Sequence, residues 1–427
     1  MLRPRFPFRE EVFGGILYDT RTEDYFHLNP SAFSLLKFLD AHDLPEAVPD
    51  AVQKALEEFR EQGLVQDRSD GGRMLRGKLI HDRPRVLSAP TIVEVYPNFT
   101  CNERCEFCYV GTEVESALPE DTIPRAKIPV IADKLARAGV FNVTLLGGEP
   151  FLYRSLDVLI EELARQNLDV SLSTNGTILN GIFLEAVAKY DVKLNVALHG
   201  PDAETHNAIT RSDSFSKVLR FIEACSSHGI SPHVTTVMHP KNESGIDDVV
   251  GLVSKLGITS MTVSYPQPSS YTKARGATVP FSKYAAVFRR AFDAGRKVSV
   301  KVRGNCHYNF LLREYGSGFD TNNPLSEFLY GDKAGRSRLE MTPSGDLYPT
   351  STVFGRQEFK VANLFSDDLL DAWANSPVLQ HIRDRDLPVA CQDCGHHDVC
   401  GGGIIGERLA DNEWDLPPED CPVLNEE

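Results

Sequence analysis

The alternation of strand-like and helix-like segments between residues 91 and 304 is the feature that most restricts the fold of this chain. Short runs rich in β-branched residues alternate there with longer segments whose apolar residues recur at the helical period. Repeated strand–helix units favour a parallel sheet covered by helices, so the sequence predicts an α/β fold. The predicted strands lie near residues 91–96, 141–146, 169–173, 192–198, 230–238, 258–264 and 297–303, and the predicted helices at 122–138, 154–167, 179–189, 214–228, 245–256 and 281–295.

Three of the nine cysteines fall within eight residues, directly after the first predicted strand. Cys101, Cys105 and Cys108 follow the apolar run Thr91–Tyr96. Three thiolates at the carboxyl end of a strand suit a soft metal centre. An iron–sulfur cubane normally takes four thiolates, so three leave one iron open for another ligand. A zinc knuckle or a disulfide pair is the alternative interpretation.

The cysteine spacing, with Phe107 before the third cysteine and Tyr109 after it, resembles the signature of the radical SAM enzymes. The resemblance implies a partial (β/α)6 barrel and a 4Fe–4S cluster whose open iron binds the amino and carboxylate groups of S-adenosylmethionine. Cleavage of that cofactor by a reducing electron would release a 5′-deoxyadenosyl radical. The three cysteines would be the catalytic cluster ligands. Phe107 and Tyr109 would pack against the adenine, or simply fill the core.

Gly147, Gly148, Glu149 and Pro150 follow the second predicted strand, where chemistry is expected in barrels of this kind. Two glycines let a backbone approach a ligand closely. The quartet resembles the GGEP motif of radical SAM enzymes, which holds the methionyl amino group of the cofactor. The resemblance implies that the Glu149 carboxylate accepts hydrogen bonds from that ammonium.

Other cofactor contacts are implied by the same resemblance at the ends of later strands. Ser173 and Asn175 follow the third strand, where the family usually contacts the ribose or the carboxylate. Arg211 stands where many relatives direct an arginine to the cofactor carboxylate, and the fifth strand, ending at Met238, would lay a backbone edge along the adenine.

The fourth strand departs from the family pattern. Ala197 replaces the usual serine, which removes one customary hydroxyl contact, and His199 replaces the usual aspartate. His199 either faces the site or is structural.

The first 68 residues predict a β-hairpin followed by helices. Strand-like runs at Phe13–Tyr18 and Asp24–Leu28 flank a polar turn, Ser31 is a plausible N-cap, and a second helix runs from about 51 to 62. The segments Gly14–Asp19 and Tyr25–Asn29 and the helix after them resemble the winged-helix-like, PqqD-like peptide-recognition element. That resemblance implies that a precursor leader peptide adds as an extra strand. The alternative is an accessory domain that binds nothing.

Cys391, Cys394, Cys400 and Cys421 make a second set of thiolates, which suits zinc or an iron–sulfur cluster. A predicted hairpin at 337–349 and a helix at 367–374 precede them. This layout is similar to the SPASM extension, which carries two auxiliary clusters. Cysteines of the first auxiliary cluster are replaced here, so the resemblance implies one auxiliary 4Fe–4S cluster bound by the four remaining cysteines. The replaced positions are Thr350, Ile404 and the neighbourhood of Asp332.

The other cysteines carry weaker signals. Cys225 lies among apolar residues on a predicted helix, which favours a buried structural thiol. Cys306 is a remnant ligand, a radical-quenching thiol or a structural residue. His396 and His397 are predicted to be exposed.

Composition restricts the class of protein. The chain has 427 residues, 41% hydrophobic and 25% charged, which predicts a globular protein of two or three domains. No apolar run of about 18 residues and no signal-peptide core occur, so a cytoplasmic protein with no membrane contact is expected. A net charge of −15 argues weakly against a nucleic-acid partner. The predicted domains are a recognition element at 1–68, a linker at 69–90, a barrel at 91–304 and a SPASM-like domain at 305–427.

Together these patterns predict a radical SAM enzyme that modifies a ribosomally synthesised precursor peptide. Hydrogen abstraction would lead to a C–C, C–O or C–S crosslink or a related backbone change, with the leader on residues 1–68. A flavodoxin or ferredoxin would supply electrons. The alternatives are a formylglycine-generating sulfatase maturase, against which the peptide-docking module argues, and a catalytically inactive peptide-binding scaffold, against which the intact cysteine motif argues.

Overall fold

A computed structural model of the chain describes residues 1–68, 73–81, 83, 85–315, 323–384, 387–411, 416–417 and 421–424. Parts of the predicted linker, at 69–72, 82 and 84, lie outside the described residues. The described part of that linker is packed rather than extended into solvent. Leu87 and Ala89 are fully buried, and the Trp373 indole N–H donates to the Leu87 carbonyl at 2.7 Å.

The N-terminal residues form small sheets and two helices around an apolar core of their own. Phe8, Leu17, Leu36, Leu39 and Leu56 are buried in this core. One sheet has the strand order β4-β3-β2-β6, and β1 pairs with β5 in a second. The elements are β1 (Leu2–Pro4), β2 (Phe8–Glu11), β3 (Gly14–Asp19), β4 (Asp24–Leu28), α1 (Pro30–Ala41), α2 (Asp50–Glu61), β5 (Val65–Asp67) and β6 (Met74–Leu75).

The predicted hairpin is present, but the predicted helix cap is wrong. β3 and β4 pair antiparallel from Gly15 opposite Leu28 to Asp19 opposite Asp24. The cap of α1 is Asn29, not Ser31, because the Asn29 side-chain oxygen accepts the Ala32 N–H at 2.8 Å. Pro30 fixes the first helical turn, which moves the capping position one residue before it.

The central residues form a parallel sheet with helices on one face, which confirms the predicted α/β fold. The strands β7 to β13 lie side by side in chain order. The elements are β7 (Ile92–Val95), α3 (Gly111–Ser116), α4 (Ile128–Ala138), β8 (Asn142–Leu145), α5 (Leu156–Arg165), β9 (Asp169–Thr174), α6 (Gly181–Lys189), β10 (Lys193–Ala197), α7 (Ala203–Thr210), α8 (Phe215–Ser227), β11 (His233–Val237), α9 (Ile246–Lys255), β12 (Ser260–Ser264), α10 (Ser270–Ala274), α11 (Phe281–Val298) and β13 (Lys301–Asn305).

Two predicted boundaries differ because of local backbone chemistry. α4 begins at Ile128 rather than 122, since Pro129 favours a helix start there and residues 125–127 form a separate 3-10 turn. The last strand begins at Lys301, because α11 continues to Val298 and Ser299 ends it in the left-handed conformation.

Buried and accessible residues alternate along the parallel strands. In β9, Val170 and Leu172 are buried against helices, whereas Ser171 and Ser173 are accessible on the other face. Parallel strands covered on both faces are usually apolar throughout. One face of this sheet therefore packs on helices, and the other borders a cavity lined by polar residues.

The C-terminal residues extend the same sheet. The predicted hairpin is present, with β14 parallel to β7 and β15 antiparallel to β14. The elements are α12 (Ser326–Leu329), β14 (Arg338–Met341), β15 (Asp346–Tyr348), β16 (Ala362–Asn363), α13 (Leu369–Asn375), α14 (Pro377–Asp384), α15 (Val389–Gln392), α16 (His397–Cys400) and α17 (Ile405–Asp411). In the part of the chain that the structure describes, no helix combines the length and the apolarity needed to cross a bilayer.

The N-terminal hairpin packs against the amino ends of the parallel strands. The Tyr18 hydroxyl donates to Asp169 at 2.6 Å, and the Ser171 hydroxyl donates to Glu23 at 3.2 Å. Lys193 is ion-paired with Asp169. Asp169 and Lys193 are the first residues of β9 and β10. The predicted recognition element thus lies at the end of the sheet opposite the strand ends that precede the motifs.

A fully buried ion pair ties this element to the barrel. Arg9 donates to the Glu11 carboxylate at 2.9 Å and to the backbone carbonyls of Ala89, Pro90 and Gly139. The remaining Glu11 oxygen accepts the Ser88 N–H at 2.7 Å. Burial raises the pKa of Glu11, and the Arg9 charge opposes that shift.

Arg9→Met should lower the free energy of unfolding by about 3–5 kcal/mol, because it leaves the Glu11 carboxylate buried without its cation. Adding Glu11→Gln should restore part of the loss. Urea unfolding measures both variants. The exposed Arg220→Met is the matched control and should change stability by less than about 0.5 kcal/mol. A wild-type urea midpoint for Arg9→Met would contradict the structural role of this pair.

Candidate active site

A cavity of about 550 Å³ lies on the accessible face of the sheet. The cysteine loop, parallel strands and the segment before β14 all contribute to its walls. Leu146 and Ser173 line it from the ends of two strands, and Phe107 and Tyr109 line it from the cysteine loop. The segment from Leu329 to Lys333 forms another wall.

The three predicted cluster cysteines lie together in one loop after β7. Their thiols are free and partly accessible. Two backbone hydrogen bonds hold the loop on the end of α7, from Arg104 N–H to the Thr210 carbonyl and from Glu106 N–H to the Ile209 carbonyl, each 3.1 Å.

Burial raises the pKa of Cys101 and of Cys108 to about 12, and it raises the pKa of Cys105 well above its ordinary value. The charges of Glu103, Cys108 and Cys101 add to the rise at Cys105. Such a group becomes a set of thiolates only when a cation compensates the charge.

This donor set fits an iron–sulfur cubane better than a single metal ion. Within the described ranges, no three histidine, cysteine or acidic side chains converge closely enough to hold one ion. In a cubane each thiolate binds a different iron, so the sulfurs need not converge on one point. The Asn175 amide N–H lies 3.9 Å from the Cys101 sulfur, the kind of outer contact that tunes such clusters.

Gly147 and Gly148 pack against the backbone that leads into the cysteine loop. The Gly148 N–H donates to the Asn98 carbonyl at 3.0 Å, and the Glu149 N–H donates to the Thr100 carbonyl at 2.8 Å. A Cβ at Gly148 would overlap the carbonyl oxygens of Phe99 and Thr100. The close backbone approach predicted from these glycines is therefore made to residues 98–100 of the same chain.

The Glu149 side chain is fully buried, and its predicted contact with a cofactor ammonium stays a prediction. One carboxylate oxygen accepts the Phe151 N–H at 2.9 Å and the Thr174 hydroxyl at 2.7 Å; the other accepts the Asn175 N–H at 2.7 Å. Burial raises the pKa of Glu149 to about 7, against the effect of these hydrogen bonds. Pro150 is buried as well. Of this motif, only Gly147 and Gly148 keep accessible surface.

Phe107 and Tyr109 both border the cavity, as expected for residues that would pack on a ligand. The Phe107 ring contacts the edge of His199 at 4.5 Å between centroids. The hydroxyls of Tyr109 and Tyr96 lie 3.2 Å apart, and Tyr96 donates to Glu340 at 3.0 Å. The hydrogen-bonded pair of Tyr96 and Glu340 therefore orients the Tyr109 hydroxyl.

Met238 directly follows β11, and its predicted backbone contact with an adenine stays a prediction. Its side chain is fully buried, and its N–H donates to the Ser264 carbonyl at 2.8 Å. β11 pairs with β10 on one side and β12 on the other, so it presents no free backbone edge. A strand in the middle of a sheet has its backbone groups taken by its neighbours.

The remaining predicted contacts divide between the cavity and its surroundings. Ser173 lines the cavity and accepts a hydrogen bond from Asn195 at 3.2 Å. Arg211 is exposed in the left-handed conformation at the end of α7. It does not line the cavity that the described residues enclose, so its contact with a cofactor carboxylate stays a prediction.

His199 is structural. It is 2% exposed, and its Nδ1 accepts the Val237 N–H at 3.2 Å, which links the ends of β10 and β11. Burial, the largest cause, lowers its pKa well below the ordinary value, and the nearby His206 and His239 act in the same direction.

Three of the four C-terminal cysteines, Cys391, Cys400 and Cys421, influence one another electrostatically. Cys391 and Cys421 are buried, and Cys394 and Cys400 are partly accessible. Burial raises the pKa of Cys400 to about 11; the Gly403 and Gly402 N–H groups oppose this, and the charges of Cys421 and Cys391 add to it. The Gly403 N–H donates to the Cys400 sulfur at 3.2 Å. The glycines after Cys400 have φ values of 64°, 83° and 84°, a conformation that sequence reasoning did not consider.

Sequence reasoning also missed a group of charged residues at the cavity wall. Arg338 lies 3.4 Å from Glu94, 3.7 Å from Asp332 and 3.3 Å from Glu340. Lys333 lines the cavity beside them. The signal was available, since Glu94 interrupts the apolar run of the first predicted strand at a position that faces inward.

These features describe a parallel α/β enzyme fold with three thiols at the carboxyl end of its first barrel strand. Residues 95–256 match the family model described as the Radical SAM superfamily. These residues form a radical SAM domain, and radical SAM enzymes use a 4Fe–4S cluster and S-adenosylmethionine.

Similar proteins cover most of the chain. The mycofactocin maturase MftC of Mycobacterium ulcerans is 26% identical over 342 residues, which are 78% of this chain and 87% of MftC. The antilisterial bacteriocin subtilosin biosynthesis protein AlbA of Bacillus subtilis is 23% identical, over 74% of this chain and 67% of AlbA. The crystal structure of Streptococcus suis SuiB bound to precursor peptide SuiA has a TM-score of 0.80 at 19% identity, covering 99% of this chain and 100% of SuiB. The likeness to SuiB shows the fold.

Gly148→Ala should prevent cluster assembly at the cysteine loop, because the new Cβ meets backbone oxygens that cannot move aside cheaply. We expect a loss of about four irons per chain after anaerobic reconstitution. The matched control is Gly251→Ala in α9, where an added Cβ would have no other atom within 4 Å. This control variant should keep all of its iron. Iron analysis and the cluster absorbance measure both variants. Full iron in Gly148→Ala would show that the fit of these two loops is dispensable.

Proposed function

We propose that this enzyme matures a ribosomally synthesised precursor peptide. The observation that carries the proposal is the cavity, because it joins the cysteine loop to a wall built from the C-terminal segment. A volume of about 550 Å³ suits one or two peptide side chains rather than a folded protein surface. The peptide-maturing relatives MftC and AlbA, and SuiB with its precursor peptide, support the same class of substrate.

Cys101, Cys105 and Cys108 would hold the radical-generating cluster. Bound there, the cluster and S-adenosylmethionine supply reductive cleavage and a 5′-deoxyadenosyl radical that abstracts hydrogen from the substrate. The contribution of the chain is to position the groups. The partly accessible backbone at Gly147 and Gly148 lies next to the cysteine loop, and Phe107 and Tyr109 present aromatic surface to the cavity.

The N-terminal element, residues 1–68, would bind the leader of the precursor. β4 is an edge strand of its sheet in the described part of the chain. An edge strand offers unpaired backbone groups to an added peptide strand, and the next helix, α1, supplies side chains that select the sequence. Slower amide hydrogen exchange in β4, on addition of a peptide encoded beside this gene, would test this arrangement.

Cys391, Cys394, Cys400 and Cys421 would bind one auxiliary 4Fe–4S cluster in the SPASM-like domain, residues 305–427. Four thiolates leave no open iron, so this cluster would transfer electrons or stabilise the domain. Thr350 is fully packed, with its hydroxyl 3.5 Å from that of Thr352, and Ile404 borders the cavity. Both Thr350 and Ile404 stand where the SPASM pattern has cysteines of the first auxiliary cluster. Because that cluster is not expected here, we favour a carbon-centred crosslink or backbone change over a C–S crosslink. A flavodoxin or ferredoxin would donate the electrons.

The alanine variant of Cys101, Cys105 and Cys108 should hold about four irons per chain, where the wild type holds about eight. Only the wild type should release 5′-deoxyadenosine from S-adenosylmethionine with dithionite. Iron analysis and chromatography of the nucleoside measure these outcomes. About twelve irons in the wild type would require a third cluster. A fully loaded wild type that releases no 5′-deoxyadenosine, even with the peptide, would favour the scaffold interpretation.

Cys391→Ala should lose about four irons and the modification of the peptide, while it keeps cleavage of S-adenosylmethionine, because the two cysteine groups lie in separate segments. The matched control is Cys225→Ala. Cys225 is fully buried on α8 within the apolar core and should leave the iron content unchanged. Zinc in place of four irons at the C-terminal site would assign this site a structural role.

A further inference from the structure

The cavity wall carries two neighbouring cations that differ in their ion pairing. Arg338 lies within 4 Å of three carboxylates, those of Glu94, Asp332 and Glu340. Lys333 is the neighbouring cation, and no described acidic side chain lies within the 4.0 Å that defines an ion pair with it. One cation of this wall is thus fully compensated, and the other is not.

The carboxylates nearest to Lys333 are already held by other groups. The two oxygens of Asp332 accept the Ala334 N–H at 2.9 Å and the Ile405 N–H at 2.8 Å. Glu94 pairs with Arg338. Burial is the largest cause that lowers the pKa of Lys333, the Arg338 charge lowers it further, and Glu94, Glu23 and Asp332 oppose the shift. These carboxylates therefore attract the ammonium only from a distance.

The backbone at Lys333 is rigidly held. Its carbonyl accepts hydrogen bonds from the N–H groups of Arg336, Ser337 and Arg338, each at 3.1 Å. The residue is thus fixed at the cavity wall immediately before β14. A half-buried lysine without a close carboxylate is unusual, because removing an ammonium from water is costly. A preorganised cation of this kind suits an anionic group of a ligand.

We propose that Lys333 binds a carboxylate of the peptide substrate within the cavity. The inference rests on the proposed function, and it adds a specificity determinant. The cavity that Lys333 lines also reaches Phe107 and Tyr109 beside the third cysteine of the loop. Lys333 lies just before β14, whose first residue pairs with the first residue of β7. A carboxylate held at Lys333 therefore anchors the peptide at the amino-end side of the cavity, while the rest of the peptide extends toward the cysteine loop. The carboxylate belongs either to an acidic side chain or to the C-terminus of the peptide.

Binding of short peptides to the reconstituted holoenzyme with S-adenosylmethionine tests the proposal without turnover. The probes are acetyl-Ala-Phe-Glu-Phe-Ala-amide, its glutamine analogue, and the glutamine analogue with a free C-terminal carboxylate. Anaerobic calorimetry should show that the wild type binds one of the acidic probes at least about tenfold more tightly than the neutral one. Lys333→Met should abolish that preference, and Lys333→Arg should keep most of it. The probe that responds identifies the source of the carboxylate.

The matched control is Lys255→Met, on an exposed position of α9, which should bind all probes as the wild type does. Lys333→Met should keep its iron and an equal or higher melting temperature, since it removes an ammonium that no close carboxylate compensates. The same acidic preference in Lys333→Met and the wild type would overturn the proposal, as would a wild type without any preference. Weaker binding of S-adenosylmethionine by Lys333→Met would instead assign the ammonium to the cofactor. Loss of 5′-deoxyadenosine release in the wild type would contradict the proposed function alone.

Discussion

The fully buried carboxylate of Glu149 holds together the segments on which the active site depends. Its side chain receives hydrogen bonds from its own turn and from the end of β9. Its backbone N–H and carbonyl bond to Thr100 and Asn98, just before the first cysteine. One residue therefore fixes two strand ends and the start of the cysteine loop relative to each other. A carboxylate is suited to this position because it accepts several hydrogen bonds at once.

The same region shows that the glycine motif is required by the packing of the chain itself, even before a ligand binds. Gly147 has a φ of 136°, and Gly148 lies against two backbone carbonyls. The loop after β8 can then pair with residues 98–100 as an irregular extension of the sheet. Any ligand that binds at the cysteine loop meets a surface already shaped by this contact. The positions of the three sulfurs thus follow from packing between two loops as much as from the cysteine spacing.

Much of the fold was predictable because it depends on local patterns. The β-branched runs predicted the parallel strands, and the polar turn at residues 19–23 predicted the N-terminal hairpin. The sequence patterns were less informative where packing between distant segments sets the surroundings of a side chain. Met238 and Glu149 lie in motifs typical of cofactor contacts, yet tertiary packing buries both. Asn29 replaced Ser31 as the helix cap because of the proline between them.

The charged wall of the cavity shows a different limit of sequence reasoning. Lys333, Asp332 and Arg338 stand in a stretch without a motif, some 240 residues after Glu94. Only the parallel pairing of β14 with β7 brings them to the cavity. Polar residues at every second position of the strands were a usable signal of a one-sided sheet, since a sheet covered on both faces would be apolar throughout.

The position of the N-terminal hairpin would restrict the peptide that this enzyme accepts if the leader binds on β4, as proposed. The hairpin packs on the first residues of β9 and β10, whereas the cysteine loop follows the other end of the sheet. A six-residue strand such as β9 spans about 20 Å. A leader docked on β4 must therefore be joined to its reacting residue by a spacer of at least about six extended residues. On that proposal, precursors with a shorter spacer could not bind at both places on one molecule, and the distance between the two ends of the sheet would select precursors by the length of their spacer.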